Sequence, residues 1–378
     1  MTTHNRAMPA TMSPSSPSPS PSPLASSESL APLAFGDYAL VIDARSPHEF
    51  IEDHVPGAVN LPVVDDAQFA EVGIQHKTDP HAAYLIGAQY SFQNLSEHTR
   101  ALISRFGPDD RFLVYCFRGG KRSALWAANL RLIGFTVDVV PGGWKRYRNW
   151  VRESLVALPP RLHYQVLCGP TNCGKTRLLQ ALARQGEQVL DLEGLARHKG
   201  SLLGDLPGQP QPTQKYFDTL VLDVLRRFDP ARPVWIEAES KKVGRLLVPE
   251  ALTAAMRRAP TIHLSVPMSE RVRLCREDYA HFAVDPRSMV AKLQSLKPLV
   301  GGEELAHWQA LADAGRADEL FERLMTQHYD PAYSRSTTRE FGPGDGANQL
   351  ALDSLQPDAL AATARRMIAA RATRAAQG

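Results

Sequence analysis

Residues 169–176 read GPTNCGKT and satisfy G-x-x-x-x-G-K-[ST] at every fixed position. Such a loop works only between a strand and a helix. Its glycines let successive backbone N–H groups turn toward an anion, and the helix N-terminus adds partial positive charge. The flanks agree, since HYQVLC precedes the loop as a strand and RLLQALA follows it as a helix. This stretch therefore predicts an α/β unit with a phosphate or diphosphate at its strand ends. Gly169, Gly174, Lys175 and Thr176 are the candidate diphosphate ligands: Lys175 brings a full charge to the outer phosphate and Thr176 a hydroxyl suited to Mg2+. Asn172 stands where many such loops carry glycine, so it needs a left-handed conformation or an altered loop. Cys173 adds nothing to phosphate binding. Strand-end acids that would support a cation or the reaction are Glu237 and Glu239 in PVWIEAES and Asp191 in QVLDLEG, each equally readable as a solvated carboxylate.

A second loop has the same logic with a different centre. In LVYCFRGGKRSALW an apolar strand ends at Cys116, and Arg118, Gly119, Gly120, Lys121 and Arg122 follow before a helix begins. N–H donors and positive charge around a thiol lower its pKa and stabilise an anion joined to it. The bland alternative is a buried structural cysteine. Net charge is only +3, yet Arg111 to Arg152 holds nine Lys/Arg against one acid, Asp138. Such a local field attracts polyanions, or is simply a solvated face.

The chain has 378 residues and 43% hydrophobic content, enough for two ordinary α/β domains. Residues 1–30 are Ser/Pro-rich and read as a disordered tail. Residues 31–156 alternate strands (YALVIDARSPHEF, RFLVYC, TVDVV) with a helix ending near Gly134. Pro159-Pro160 marks a boundary. Residues 157–345 hold the GPTNCGKT loop, further strands at QVLDLEG, PVWIEAES and TIHLSV, and a helical extension past Ala280. Residues 346–378 form a last helix with arginines on its polar face, an RNA arm or simply an amphipathic helix. No run has the roughly 18–20 apolar residues of a membrane span, and no apolar signal core opens the chain. Four cysteines are too few for a disulfide framework, so a reducing, cytoplasmic setting is expected.

VIDARSPHEFIEDHVPGAVNLP (Asp43, Arg45, Glu49, His54, Pro56-Gly57-Ala58) and PGGW (Pro141–Trp144) resemble the opening and closing signatures of the rhodanese domain, which carries a sulfur-transfer cysteine where Cys116 stands. One departure is the C-x5-R spacing of Cys116 to Arg122, one residue longer than in common sulfur-transfer rhodaneses and shared with cysteine-dependent phosphatases. The ordered set YCFRGGKRS, GPTNCGKT, DLEGLARHKGS, WIEAESKKVG and HYDPAYSRS closely resembles the tRNA 2-selenouridine synthase family, from about Phe35 to about Arg339.

The resemblance implies a rhodanese-like parallel-sheet domain followed by a P-loop NTPase-like α/β domain, and a transferase acting on tRNA. Sulfur of 2-thiouridine at the wobble position would be replaced by selenium from selenophosphate, through S-geranylation by geranyl diphosphate. The P-loop would bind the diphosphate. Cys116 would carry selenium as a persulfide-like adduct or otherwise assist its delivery, with Arg118, Lys121, Arg122 and the Gly119 and Gly120 amides holding the anion. Partners would be the tRNA anticodon loop and a selenophosphate-supplying enzyme. No permanently bound cofactor is implied, Mg2+ is left open, and no histidine spacing suggests structural zinc. Asp43 and Arg45 would be a structural pair. Trp126, Trp144 and Trp150 are core residues first and base-stacking candidates second. His198, Lys199, Lys241, Lys242 and Arg245 touch RNA or pyrophosphate, or are plain surface. Competing readings are an ATP-dependent kinase or ATPase with a rhodanese regulatory domain, a cysteine phosphatase, and a non-catalytic RNA-binding module.

Overall fold

The structure, a computed structural model, describes residues 35–239, 241–342 and 348–377. The Ser/Pro-rich tail, 1–30, lies outside them.

The first domain is built on four parallel strands in the order β2-β1-β3-β4: β1 (Leu40–Asp43), β2 (Val59–Asn60), β3 (Arg111–Tyr115) and β4 (Thr136–Val139). Val41 lies opposite Leu113, and Leu113 opposite Asp138. Helix α1 (Pro47–Glu52) starts at a Ser46–Glu49 capping box with proline in its first turn. Helices α2 (Asp66–Thr78) and α3 (Pro80–Ala101) pack as an antiparallel pair. They were not legible as elements because their apolar periodicity is weak: α2 buries no residue and α3 only Ala83, Ser91 and Leu95. Helix α4 (Lys121–Ile133) ends on a left-handed Gly134, as its sequence predicts. Helix α5 (Gly143–Ala157) closes the domain.

The second domain has five parallel strands in the order β11-β10-β5-β7-β6. In chain order come β5 (Tyr164–Cys168), α6 (Lys175–Arg184), β6 (Gln188–Leu190), α7 (Leu192–Ala196), α8 (Gln214–Leu225) and β7 (Val234–Glu237). A small antiparallel hairpin, β8 (Lys242–Val243) and β9 (Leu246–Leu247), precedes α9 (Glu250–Met256) and β10 (Thr261–Ser265). A helical layer follows: α10 (Met268–Asp278), α11 (Ala280–Val284), α12 (Pro286–Leu293), α13 (Lys297–Val300), α14 (Gly302–Asp313), α15 (Ala317–Leu324), a π-helical turn at Met325–Tyr329, and α16 (Asp330–Phe341). The chain ends with β11 (Gln349–Ala351) and α17 (Pro357–Gln377). From β5 the chain builds β6 and β7 on one side and later β10 and β11 on the other. Its C-terminal end is thus the sheet's switch point, where α/β folds bind ligands.

The last segment corrects one expectation. Within residues 348–377 the expected last helix occupies Pro357–Gln377, and a short strand precedes it. β11 extends the second sheet, and Leu352, Leu355, Leu360, Ala364 and Met367 share a core with Leu178, Leu179 and Leu182 of α6. Arg371 pairs with Glu187, so one arginine of the expected RNA arm is committed to the protein itself.

A single 3-10 turn, Pro159–Arg161, joins the two domains, and one apolar core runs through both. Trp144, Tyr147, Val151 and Leu155 of α5 pack in the same cluster as Phe217, Val221 and Leu225 of α8. Polar contacts cross the junction as well: Arg148 pairs with Asp218 at 2.5 Å and Lys215 with Glu52 at 2.5 Å. Among the described residues no helix is long and apolar enough to cross a membrane.

Candidate functional site

Two anion loops stand at the C-terminal ends of the central strands β3 and β5. Cys116 follows β3 and is buried, with its Sγ 3.3 Å from Ser123 Oγ and 3.9 Å from the Gly120 carbonyl. Burial alone would raise its pKa. Hydrogen bonds from the Ser123 hydroxyl and from the Ser123, Arg118 and Gly120 N–H groups outweigh that and hold the thiol below its ordinary value. The PGGW turn is laced onto this loop: Trp144 N–H donates to Cys116 O at 2.8 Å and Lys145 N–H to Phe117 O at 2.9 Å. Gly143 has φ +59, and a Cβ there would lie 2.2 Å from Cys116 O and 2.5 Å from Gly119 N. Only glycine permits this closure.

The charges expected around Cys116 are arranged differently from the sequence reading. Arg122 does not point freely at an anion; it forms a double hydrogen bond to Glu49, at 2.6 and 3.3 Å, and ties α4 to α1. Lys121 Nζ sits 3.8 Å over the Tyr84 ring, and Arg118 lies over Phe117. Gly119 and Gly120 stay in the loop as expected, and Ser123 joins them as a contact to the thiol. Part of the local basic field is engaged within the protein, by Glu49 and Asp218 from outside the segment and by partners inside it. Arg111 pairs with Asp138 and Arg148 with Asp218, while Arg131 donates to the Val137 carbonyl. Asp43 and Arg45 are a fully buried pair at 2.6 Å, and Trp126 and Trp144 are buried.

Trp144 also reaches the second domain. Its Nε1 donates to Asp53 Oδ2 at 2.9 Å, while Thr219 Oγ1 from α8 donates to Asp53 Oδ1 at 2.7 Å. Asp53 is fully buried, and burial pushes its carboxyl up to about 6 against these donors and nearby Arg148. A helix of the second domain thereby holds the floor of the Cys116 loop.

At the second loop, Asn172 takes the left-handed alternative with φ 59. Gly169 lies so close to Cys173 that a Cβ would come within 2.6 Å of its Sγ. Lys175 Nζ folds back to the Gly169 carbonyl at 2.8 Å, and burial opposes its charge. Cys173, Tyr333, Glu237 and Glu239 around it prevail and keep it protonated above the usual lysine range. Thr176 Oγ1 donates to Glu237 Oε2 at 3.0 Å and faces Glu193 Oε2 at 3.3 Å. Carboxylate oxygens of Glu193, Glu237 and Glu239 lie within 4.8 Å of one another. Burial, followed by the charge of Glu239, pushes Glu193 up to about 8, and burial and the charge of Glu193 raise Glu237 well above normal. Glu237 Oε1 is buried with no hydrogen-bond partner. Three carboxylates, one of them with an orphaned buried oxygen, and one hydroxyl suit a hard divalent cation. Asp191 is not part of this group. It accepts the Gly194 N–H at 2.8 Å as the N-cap of α7, and Glu193, two residues on, takes the place expected for it.

The helical layer completes the P-loop. Arg271, buried, donates twice to Thr171 O and pairs with Asp330 at 2.6 Å. Tyr333 Oη accepts the Gly169 N–H at 2.8 Å. A cavity of about 320 Å³ over the loop includes Lys175, Thr176, Glu193, Lys199 and Tyr333 in its walls. Glu193 and Tyr333 lie inside motifs already visible, DLEGLARHKGS and HYDPAYSRS, but nothing in their local spacing distinguishes them. His198 is buried, 3.5 Å from Asp205, and lies away from solvent.

Comparison with known proteins agrees with this two-loop layout. Residues 27–149 match the rhodanese-like domain and residues 162–294 the tRNA 2-selenouridine synthase AAA domain. The chain is 32% identical over 332 residues to the tRNA 2-selenouridine synthase of Aeromonas salmonicida, covering 79% of this chain and 87% of that one. It is 32% identical to that of Cupriavidus necator, over 78% and 87% of the two chains, and 29% identical to that of Nitrosomonas europaea, over 84% and 94%. A likeness spanning both domains and both loops is a likeness of whole enzymes, and this chain, a tRNA-modifying enzyme, belongs to the tRNA 2-selenouridine synthase family.

Proposed function

We propose that the two loops divide a two-step exchange of sulfur for selenium at C2 of a wobble 2-thiouridine. The cavity over Gly169–Thr176, with the half-buried, cationic Lys175 at one wall, supports the first step. There the thiocarbonyl sulfur attacks C1 of geranyl diphosphate, the C–O bond breaks, diphosphate leaves with the electron pair, and the base loses its N3 proton. Lys175, Thr176 and the backbone around Gly169 and Gly174 stabilise the departing diphosphate, with no nucleotide hydrolysis. Glu193, Glu237 and Glu239 would hold a divalent cation such as Mg2+, which supplies charge neutralisation at the diphosphate when bound.

S-alkylation turns a poor leaving group into a good one. In the second step the selenium of selenophosphate attacks C2 and the C–S bond breaks, geranylthiolate leaving with the electron pair and taking a proton; water then cleaves the P–Se bond, releasing phosphate and leaving selenium on C2. The Cys116 loop receives selenophosphate: the thiol, its pKa lowered by Ser123 and the loop N–H groups, lies beside the selenium donor, and the Gly119 and Gly120 amides and Arg118 hold its phosphate. The base lies in the single-stranded anticodon loop, where it unstacks readily.

The observation that carries this reading is the pairing of a thiolate loop with a separate, carboxylate-lined phosphate loop in one chain of this family. Mass spectrometry of a 2-thiouridine anticodon stem-loop tests it. Lys175→Ala should abolish the geranyl mass addition, and Cys116→Ala should retain geranylation but lose selenium exchange. ATP turnover without either mass change would replace this reading by a nucleotide-driven one.

A further inference from the structure

The WIEAESKKVG stretch runs from the carboxylate cluster straight into the β8–β9 hairpin, which carries Lys241, Lys242 and Arg245. The hairpin is fixed rather than loose. Gln214 of α8 exchanges two hydrogen bonds with Leu247, donating to its carbonyl at 2.9 Å and accepting its N–H at 2.7 Å. Gln211 accepts the Arg245 N–H at 2.9 Å and donates to Val243 O at 3.0 Å. Lys241 and Lys242 are exposed on it.

Three hollows meet end to end beside this hairpin. The cavity over the P-loop reaches Ser336 and Glu340 of α16. Those residues also wall an open groove of about 760 Å³ whose other walls are Lys241, Lys242, Arg257 and Arg339. Lys241 and Arg257 in turn wall a third groove of about 540 Å³, which ends at Arg152 and Leu155 on α5 of the first domain. The middle groove has four cations against one carboxylate, and Glu340 is spent between Arg257 and Arg339. In the third, Arg152, Lys241 and Arg257 face two acids, Asp218, which Arg148 engages, and Glu250.

We infer that this trough is the track of the tRNA phosphodiester backbone, with Lys241 and Lys242 gripping phosphates beside the P-loop cavity and Arg152 meeting the strand at the first domain. This rests on the reading that the P-loop cavity acts on a tRNA base. A base inserted there brings its flanking phosphates to the cavity mouth, and on the side of α16 and the hairpin that mouth opens onto a cationic wall. Rigidly mounted, exposed cations on an open path are suited to sequence-independent backbone contact. The track also joins the two domains that must act on one nucleotide.

The test is binding of a fluorescent anticodon stem-loop at several salt concentrations, with pyrophosphate binding measured in parallel by calorimetry. Lys241→Glu/Lys242→Glu should weaken RNA binding at least tenfold and reduce the salt slope by about one for each phosphate no longer neutralised. Pyrophosphate binding and thermal stability should be unchanged, and Lys241→Arg/Lys242→Arg should bind as wild type. Arg152→Glu should show a smaller loss of the same kind. Unchanged RNA affinity in the Glu variants, with geranyl transfer by the wild type intact, would overturn the track and leave the functional reading standing. Equal loss of pyrophosphate binding would assign these charges to the cavity rather than to RNA. A wild-type protein that neither binds the stem-loop nor geranylates it would overturn both.

Discussion

The Cys116 loop and the Gly169 loop have the same scaffold and opposite electrostatics. Each leaves a central parallel strand, turns through glycines and enters a helix. At Cys116 the field comes from backbone N–H groups and a hydroxyl, and Arg122, in the first turn of the following helix, is tied to Glu49. At Gly169 the field comes from a half-buried lysine set against Glu193 and Glu237, whose pKa values burial raises. The first arrangement favours one thiolate and an anion attached to it. The second sets one cation beside three carboxylates, an arrangement suited to a diphosphate together with a divalent cation. The closing contacts differ too. The Cys116 loop is sealed by a neighbouring turn and by α8 across the domain junction, whereas the P-loop is sealed by α10 and α16 of its own domain.

Substitution of the sealing glycines breaks this comparison most sharply. Gly143→Ala drives a Cβ into backbone at both Cys116 and Gly119 and should destabilise the protein by about 3 kcal/mol or more, with loss of Cys116 reactivity. In Gly169→Ala a main clash is with the Cys173 side chain. The double variant Gly169→Ala/Cys173→Ala should therefore regain part of the stability lost, measured by thermal unfolding, whereas the Gly143 clash is with backbone and has no side chain to trim.

The seal across the junction comes next. Thr219→Val strips a donor from buried Asp53 and should cost about 1–3 kcal/mol in denaturant unfolding. It should also lift the Asp53 midpoint above its present value of about 6, because Thr219 holds it down. Between roughly pH 4 and 6 the folded state keeps a proton that the unfolded chain has released. The stability from this group is therefore complete below about pH 4 and is lost as pH rises through about 6. Asp53→Asn should flatten that part of the stability curve.

Ser123→Ala tests the thiolate itself. The midpoint of Cys116 alkylation against pH should move up toward the ordinary thiol value, with diphosphate binding unaffected. The smallest effect belongs to Arg122→Lys. If Arg122 serves mainly to tie α4 to α1, losing its two-point contact with the partly exposed Glu49 should cost about 1 kcal/mol or less.

What could be read in advance follows the range of the interactions involved. Both loops, the strands that feed them and the left-handed Gly134 cap are specified by residues within a few positions of each other, and the sequence alone determined them. The two-domain order was equally legible, because its motifs are contiguous, and the structural Asp43–Arg45 pair followed from the rhodanese resemblance. Contacts between distant segments were not. Arg122 meets Glu49 across 73 residues, and Tyr333 meets Gly169 across 164. Glu193 replaces Asp191 in the carboxylate group only because α7 begins with Asp191 as its cap. β11 carries too little periodicity to be read as a strand, and it forms because β10 presents an open parallel edge to it. Local spacing sets the backbone of a loop, but packing of remote helices decides which charged side chains remain for chemistry and which are spent holding the fold.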